Sequence, residues 1–104
     1  ELVRRKLLSD DRYADARAHT LARKFGAARI EHELRSKGVS GTAIAKVAAA
    51  ARATELERTR VAWKKRFGVP PASAAERAKQ MRFLQGRGFS FDVIRRVVAG
   101  TEED

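Results

Sequence analysis

Apolar residues recur along this chain at three-to-four spacing, and glycines or short polar runs cut the pattern into helix-length pieces. The spacing predicts a first helix capped by Ser9, with Asp10 and Asp11 in its first turn, where carboxylates suit the positive end of the dipole. Its apolar stripe is Ala14, Ala18, Leu21, Ala22 and Phe25, and Gly26 ends it. A second helix is expected from Ala27 to Lys37, burying Ile30 and Leu34. Its outer side carries Glu31 with Arg35 and Glu33 with Lys37 in the favourable acid-first order. Gly38 stops it, because glycine takes a left-handed conformation cheaply. Ser40 then caps a third helix to about Ala51, buried by Ile44, Val47 and Ala48. No segment has the period-two alternation of a strand.

The second half follows the same plan. Thr54 with Glu57, and Ser73 with Glu76, have capping-box spacing. The helix after Thr54 places Leu56, Trp63 and Phe67 on one side and ends at Gly68, before a rigid connector, Val69 to Ala72, with two prolines. The next helix turns Ala78, Met81 and Leu84 inward and stops at Gly88. Ser90 caps a last helix that buries Ile94, Val97 and Val98. Leu34, Gly38, Ser40, Ile44, Val47 and Ala49 recur as Leu84, Gly88, Ser90, Ile94, Val97 and Ala99, with Lys37 answering to Arg87. "KFG" at Lys24–Gly26 recurs as "RFG" at Arg66–Gly68. The chain therefore reads as all-α, built of tandem three-helix, helix-turn-helix-like repeats in an elongated array. Residues 9–52 form one repeat and residues 53–100 the next. Residues 1–8, with Leu2, Val3, Leu7 and Leu8, are read as the last helix of a truncated earlier repeat, and 101–104 as an acidic tail. Because residue 1 is Glu, the chain is expected to be a fragment. Gly26, Gly38, Gly68 and Gly88, with Ser40 and Ser90, are the expected turns and caps.

Composition changes the picture through charge. Twenty-three Lys and Arg stand against thirteen Asp and Glu, a net +10 with a pI near 11.1. That balance favours a polyanionic partner: nucleic acid, an anionic membrane surface or an acidic protein. No apolar run approaches a membrane span and no secretory signal is present. The absence of cysteine excludes disulfides and thiolate metal sites and fits a reducing, cytoplasmic compartment.

Catalytic constellations are missing. His19 and His32 stand alone, without metal-ligand spacing. Asp11 and Asp15 share a helical face but read as helix-start residues. Glu31 and Glu33 point apart on a helix and cannot form a glycosidase pair. Gly86 and Gly88 fit no phosphate-loop frame, so "LQGRGFS" is a turn. No enzymatic activity, cofactor or metal is expected.

The informative constellation is basic. Arg60, Lys64, Lys65, Arg66, Arg77, Lys79, Arg82 and Arg87 face the single carboxylate Glu76 between Arg60 and Gly88, and Arg95 and Arg96 extend the set. Trp63, Phe83, Phe89 and Phe91 interleave with these charges, a mixture that suits a single strand whose bases stack and whose phosphates pair. Trp63, Phe67 and Phe89 read as core, whereas Phe83 and Phe91 have mostly polar helical neighbours.

Two segments, "DDRYADARAHTLARKFGAARIEHELRSKGVS" and "WKKRFGVPPASAAERAKQMRFLQGRGFSFDVIRRVV", resemble the RecX family of bacterial regulators of the RecA recombinase. The resemblance covers nearly the whole chain. It departs at Lys24 and Ala27, where a glycine and a proline are common. It implies three tandem three-helix repeats, of which this chain holds the end of the first and all of the second and third. It also implies a protein that binds the RecA filament on single-stranded DNA and inhibits its ATPase, strand-exchange and co-protease activities; a monomer with no membrane role is expected. The alternatives from the residues themselves are a helix-turn-helix DNA-binding protein, against which no base-reading set or dimerisation element stands out, and a general RNA-binding module.

Overall fold

The computed structural model describes residues 2–99, with side chains from Ser9 onward. Among them six helices follow one another: α1 (Leu2–Leu21), α2 (Ala27–Ser36), α3 (Gly41–Ala53), α4 (Glu55–Arg66), α5 (Ala74–Gly86) and α6 (Phe91–Val98), with no strand. The Cα radius of gyration is 15.9 Å and the extents are 58 × 25 × 19 Å, whereas a compact chain of this length would have a radius of about 13 Å. The body is an elongated array. The acidic tail, 101–104, lies outside the described residues, as do the side chains of Leu2, Val3, Leu7 and Leu8.

Each half buries its own core. Ala14, Ala18 and Leu21 of α1 meet Ala27, Ile30 and Leu34 of α2 and Ala43, Ile44, Val47 and Ala51 of α3. In the second half Leu84, Phe89, Ile94 and Val98 cluster, with Ala62, Trp63, Met81 and Phe83 packed around them. The periodicity of α1, α2, α3 and α6 thus predicts the buried faces correctly. On α4 it does not: the buried residues are Glu55 and Thr59, and Leu56, Trp63 and Phe67 are only half-buried. On α5 Gln80 joins Leu84 inside, because it accepts from the Trp63 indole Nε1 at 2.8 Å and donates to the Val69 carbonyl at 3.1 Å. A buried amide with both ends satisfied is tolerated where an unpaired one would not be.

The repeated turn is visible atom by atom. Val39 and Phe89 donate to the carbonyls of Leu34 and Leu84, while Gly38 and Gly88 donate to Arg35 and Gln85. This pairing is the Schellman closure of a helix end. It requires a left-handed residue, and Gly38, Gly68 and Gly88 have φ of 78°, 76° and 88°. Gly26 is different. Its φ is −84°, and it is the N-cap of α2 rather than a left-handed helix stop, since α1 has already ended at Leu21.

Three expected caps are corrected. Ser9 lies inside α1, because no Gly or Pro precedes it to break the helix and serine is only mildly unfavourable within one. A repeat beginning at residue 9 therefore begins in mid-helix. Asp10, released from a capping role, accepts the Ser40 backbone N–H at 2.9 Å, and Asp11 pairs with Lys46 at 3.3 Å. Thr54 makes no side-chain cap bond. It is at once the C-cap of α3 and the N-cap of α4, and its hydroxyl donates to Ala51 O and accepts from Arg58 Nε. Ser90 keeps the extended N-cap backbone, but its hydroxyl makes no cap bond, and its own N–H donates to a Glu55 carboxylate oxygen at 2.5 Å. Ser40 caps α3 through Ala43 N–H as expected, and Ser73 and Glu76 cap α5.

The surface carboxylates of α2 also reach further than their own helix. Glu33 takes Arg17 of α1 at 2.9 Å and Glu31 takes Arg52 of α3 at 2.7 Å, in place of the expected i,i+4 partners. The bond from Arg17 holds the Glu33 carboxyl below its usual range, against a smaller opposing effect of burial. These pairs tie the three helices of the first unit together.

Candidate nucleic-acid interface

The two units meet at a polar joint centred on α4. Glu55, 3% exposed, accepts Ala27 N–H at the start of α2 as well as Ser90 N–H at the start of α6. One turn on, the Arg58 guanidinium donates to Ala22 O and Phe25 O after α1 and to Ala51 O at the end of α3, at 2.6–3.0 Å. A carboxylate thus serves two positive helix ends and a guanidinium serves two negative ones, which is the arrangement helix dipoles favour. Burial lowers the Arg58 pKa from its usual value and the nearby Glu55 charge works the other way. Backbone completes the joint: Gly26 N–H donates to Arg87 O at 2.8 Å and Ala28 N–H to Gly88 O at 3.3 Å. Neither Glu55 nor Arg58 stands out in the sequence.

Beside this joint opens a cleft of about 520 Å³. Arg23 and Lys24 reach it from the turn after α1, Lys65 and Arg66 from the end of α4, and Arg87 from the end of α5. Its floor is apolar: Ala22, Val61, Ala62, Phe83 and Phe89, with Val61 55% exposed. Glu57 is the one carboxylate in its lining, and His19 stands at its side. Among the described residues none of the five cations takes part in a salt bridge.

The ten basic residues singled out by the sequence are not one face. Lys65, Arg66 and Arg87 line the cleft. Arg60 and Lys64, one turn apart, occupy another side of α4, and Arg77, Lys79 and Arg82 also lie away from the cleft on α5. Arg95 and Arg96 are exposed on α6, with Arg95 at 3.5 Å from Asp92. Arg60, Arg77 and Arg87 are half-buried and the other seven exposed. That set lacks His19, Arg23 and Lys24, of which only Lys24 has a sequence signal, the "KFG" that mirrors "RFG".

The aromatic faces are largely taken by the chain itself. Arg66 and Arg87 lie 5.2 and 4.8 Å from the Phe83 ring centre, Arg29 lies 4.4 Å over Phe25, and Arg58 is 6.0 Å from Phe89. Phe67 meets Phe83 edge-on at 5.5 Å. Phe89 is core at 5% exposure, whereas Phe91 is 51% exposed under Arg95. No group of three or more metal-ligating side chains occurs among the described residues, and no helix there is long and apolar enough to cross a membrane.

This two-unit geometry coincides with two family domains. Residues 9–47 match the second three-helix domain of RecX and residues 53–98 match the third. The chain belongs to the RecX family. It is 49% identical over 98 residues to the Regulatory protein RecX of Leptothrix cholodnii, covering 94% of this chain and 62% of that one. Against the Regulatory protein RecX of Ralstonia pickettii identity is 42% over 96 residues, with 92% and 60% covered. Against that of Chromobacterium violaceum it is 43% over 104 residues, with 100% and 67% covered. The chain spans about three fifths of the length of the first two relatives. No solved structure matches it. In RecX terms α1 from Ser9 onward, α2 and α3 carry the second domain and α4–α6 the third, and the joint at Glu55 and Arg58 lies between them.

Proposed function

We propose that this chain is part of a negative regulator of the RecA recombinase that binds the RecA filament on single-stranded DNA and lowers its ATPase, strand-exchange and co-protease activities. The observation that carries the reading is an elongated pair of RecX units with five cations, Arg23, Lys24, Lys65, Arg66 and Arg87, converging on the inter-unit cleft without a salt-bridge partner. A row of small helical units can follow a helical partner and bridge neighbouring protomers. Residues 9–52 and 53–100 act as the second and third repeats, with 1–8 closing a first. The protein works in the cytoplasm as a monomer, by occupancy and without cofactor or catalysis of its own.

The reading predicts a preference for the filament over its components. With labelled single-stranded DNA, the protein should bind RecA-coated strands at least tenfold more tightly than bare ones in the same salt. Equal affinity for both would turn the reading toward a general single-strand binder.

A further inference from the structure

We infer that the cleft between the two units seats a short run of the phosphodiester backbone of a single nucleic-acid strand, with a base set against the apolar floor. The inference deepens the regulatory reading and rests on it only for the identity of the strand as the one inside the filament.

Charge makes the first argument. Away from the cleft three cations pair with carboxylates across helices, Arg17 with Glu33, Lys46 with Asp11 and Arg52 with Glu31, while unpaired ones such as Arg60, Lys79 and Arg82 are spread over separate surfaces. At the cleft Arg23, Lys24, Lys65, Arg66 and Arg87 converge from three elements and two units, with Glu57 as the lone carboxylate. The nearby ends of α1, α4 and α5 supply about half a negative charge each at most. Five cations therefore remain in clear excess, and gathering like charges without a counter-charge costs stability. A polyanion is the chemistry that would repay that cost.

Preorganisation makes the second. Arg66 and Arg87 are both held against the Phe83 ring, so their planar forks are oriented before any ligand arrives. Such forks grip phosphate in pairs of parallel hydrogen bonds. Their presence on Phe83 also means that a base stacks elsewhere. The exposed Val61, beside Ala22 and Ala62, offers an apolar surface for it. An acidic peptide would bring its charges on separate flexible side chains, whereas a strand brings several phosphates at fixed spacing into a cleft of this size.

The test uses the 104-residue chain and a fluorescent oligo-dT, with anisotropy read over a salt series. Five neutralised phosphates give a slope of log K against log salt of about −3.5. The double variant Arg23→Gln, Lys65→Gln removes two exposed cations that carry no ion pair, so folding is retained and is checked by circular dichroism. It should weaken binding at least tenfold and reduce the slope to about −2.1. Arg35→Gln, Lys37→Gln lowers net charge equally, away from the cleft, and should change affinity less than twofold. Equal loss in both double variants, or loss in neither, overturns the cleft as the seat. Inorganic tripolyphosphate should compete only weakly, and competition as strong as by oligo-dT would assign the site to a free polyphosphate and overturn the strand. Binding of a poly-glutamate peptide that matches oligo-dT overturns the phosphate assignment. These outcomes concern bare DNA, so they are read separately from any effect on RecA.

Discussion

Replacing Glu55 by alanine is expected to destabilise the folded chain by about 3–5 kcal/mol, the usual cost of removing one member of a buried charged arrangement. The loss has three parts. Ala27 and Ser90 N–H groups lose the oxygen they donate to, the positive ends of α2 and α6 lose their counter-charge, and the half-buried Arg58 loses a nearby charge that favours its protonated form. Whole domains of this kind are held by only about 5–15 kcal/mol, so the variant would approach marginal stability. Denaturant unfolding followed by Trp63 fluorescence measures it, and native-state hydrogen exchange should show Ala27 and Ser90 amides losing protection first. A loss below about 1 kcal/mol would mean that Glu55 is not the centre of the joint.

The second large effect separates two glycines that the repeat makes equivalent. Gly88→Ala should cost about 2–5 kcal/mol, combining about 1–2 for a left-handed alanine with about 1–3 for overpacking. The overpacking arises because a Cβ at Gly88 would sit 2.5 Å from Arg29 Cβ and 2.7 Å from its backbone nitrogen. Gly38→Ala meets nothing within 4 Å and should carry the first contribution alone. The difference between the two variants, from parallel denaturant curves, reports the inter-unit contact. Equal losses at both positions would show that Gly88 matters only for its turn.

Those two residues also mark what the sequence could and could not convey. The turn was legible, because Gly38 and Gly88 repeat in register with Leu34 and Leu84 and with Ile44 and Ile94, and a Schellman closure needs only local chain. The cores of α1, α2, α3 and α6 were legible for the same reason, since apolar spacing is a property of one helix. The joint was not. Apart from the Arg58 bond to Ala51 O, Glu55 and Arg58 work on backbone atoms 28 to 36 residues away, and their side chains carry no periodic signal. Ser9 misled because a capping residue is recognisable only if a helix begins there, and nothing upstream stops α1. The basic residues were legible as a composition and not as a place. Lys65, Arg66 and Arg87 share the cleft with Arg23 and Lys24 only because the units dock as they do, and the same docking leaves Arg60, Lys64, Lys79 and Arg82 elsewhere.

The proposed inhibition works by occupancy of the recombinase filament. Its most direct test is the rate of RecA-dependent ATP hydrolysis on single-stranded DNA, titrated with the full-length protein. The account predicts a progressive fall in rate at well under one protein per RecA protomer, with no nucleotide hydrolysed by the protein alone. A rate that stays flat up to stoichiometric excess would contradict it.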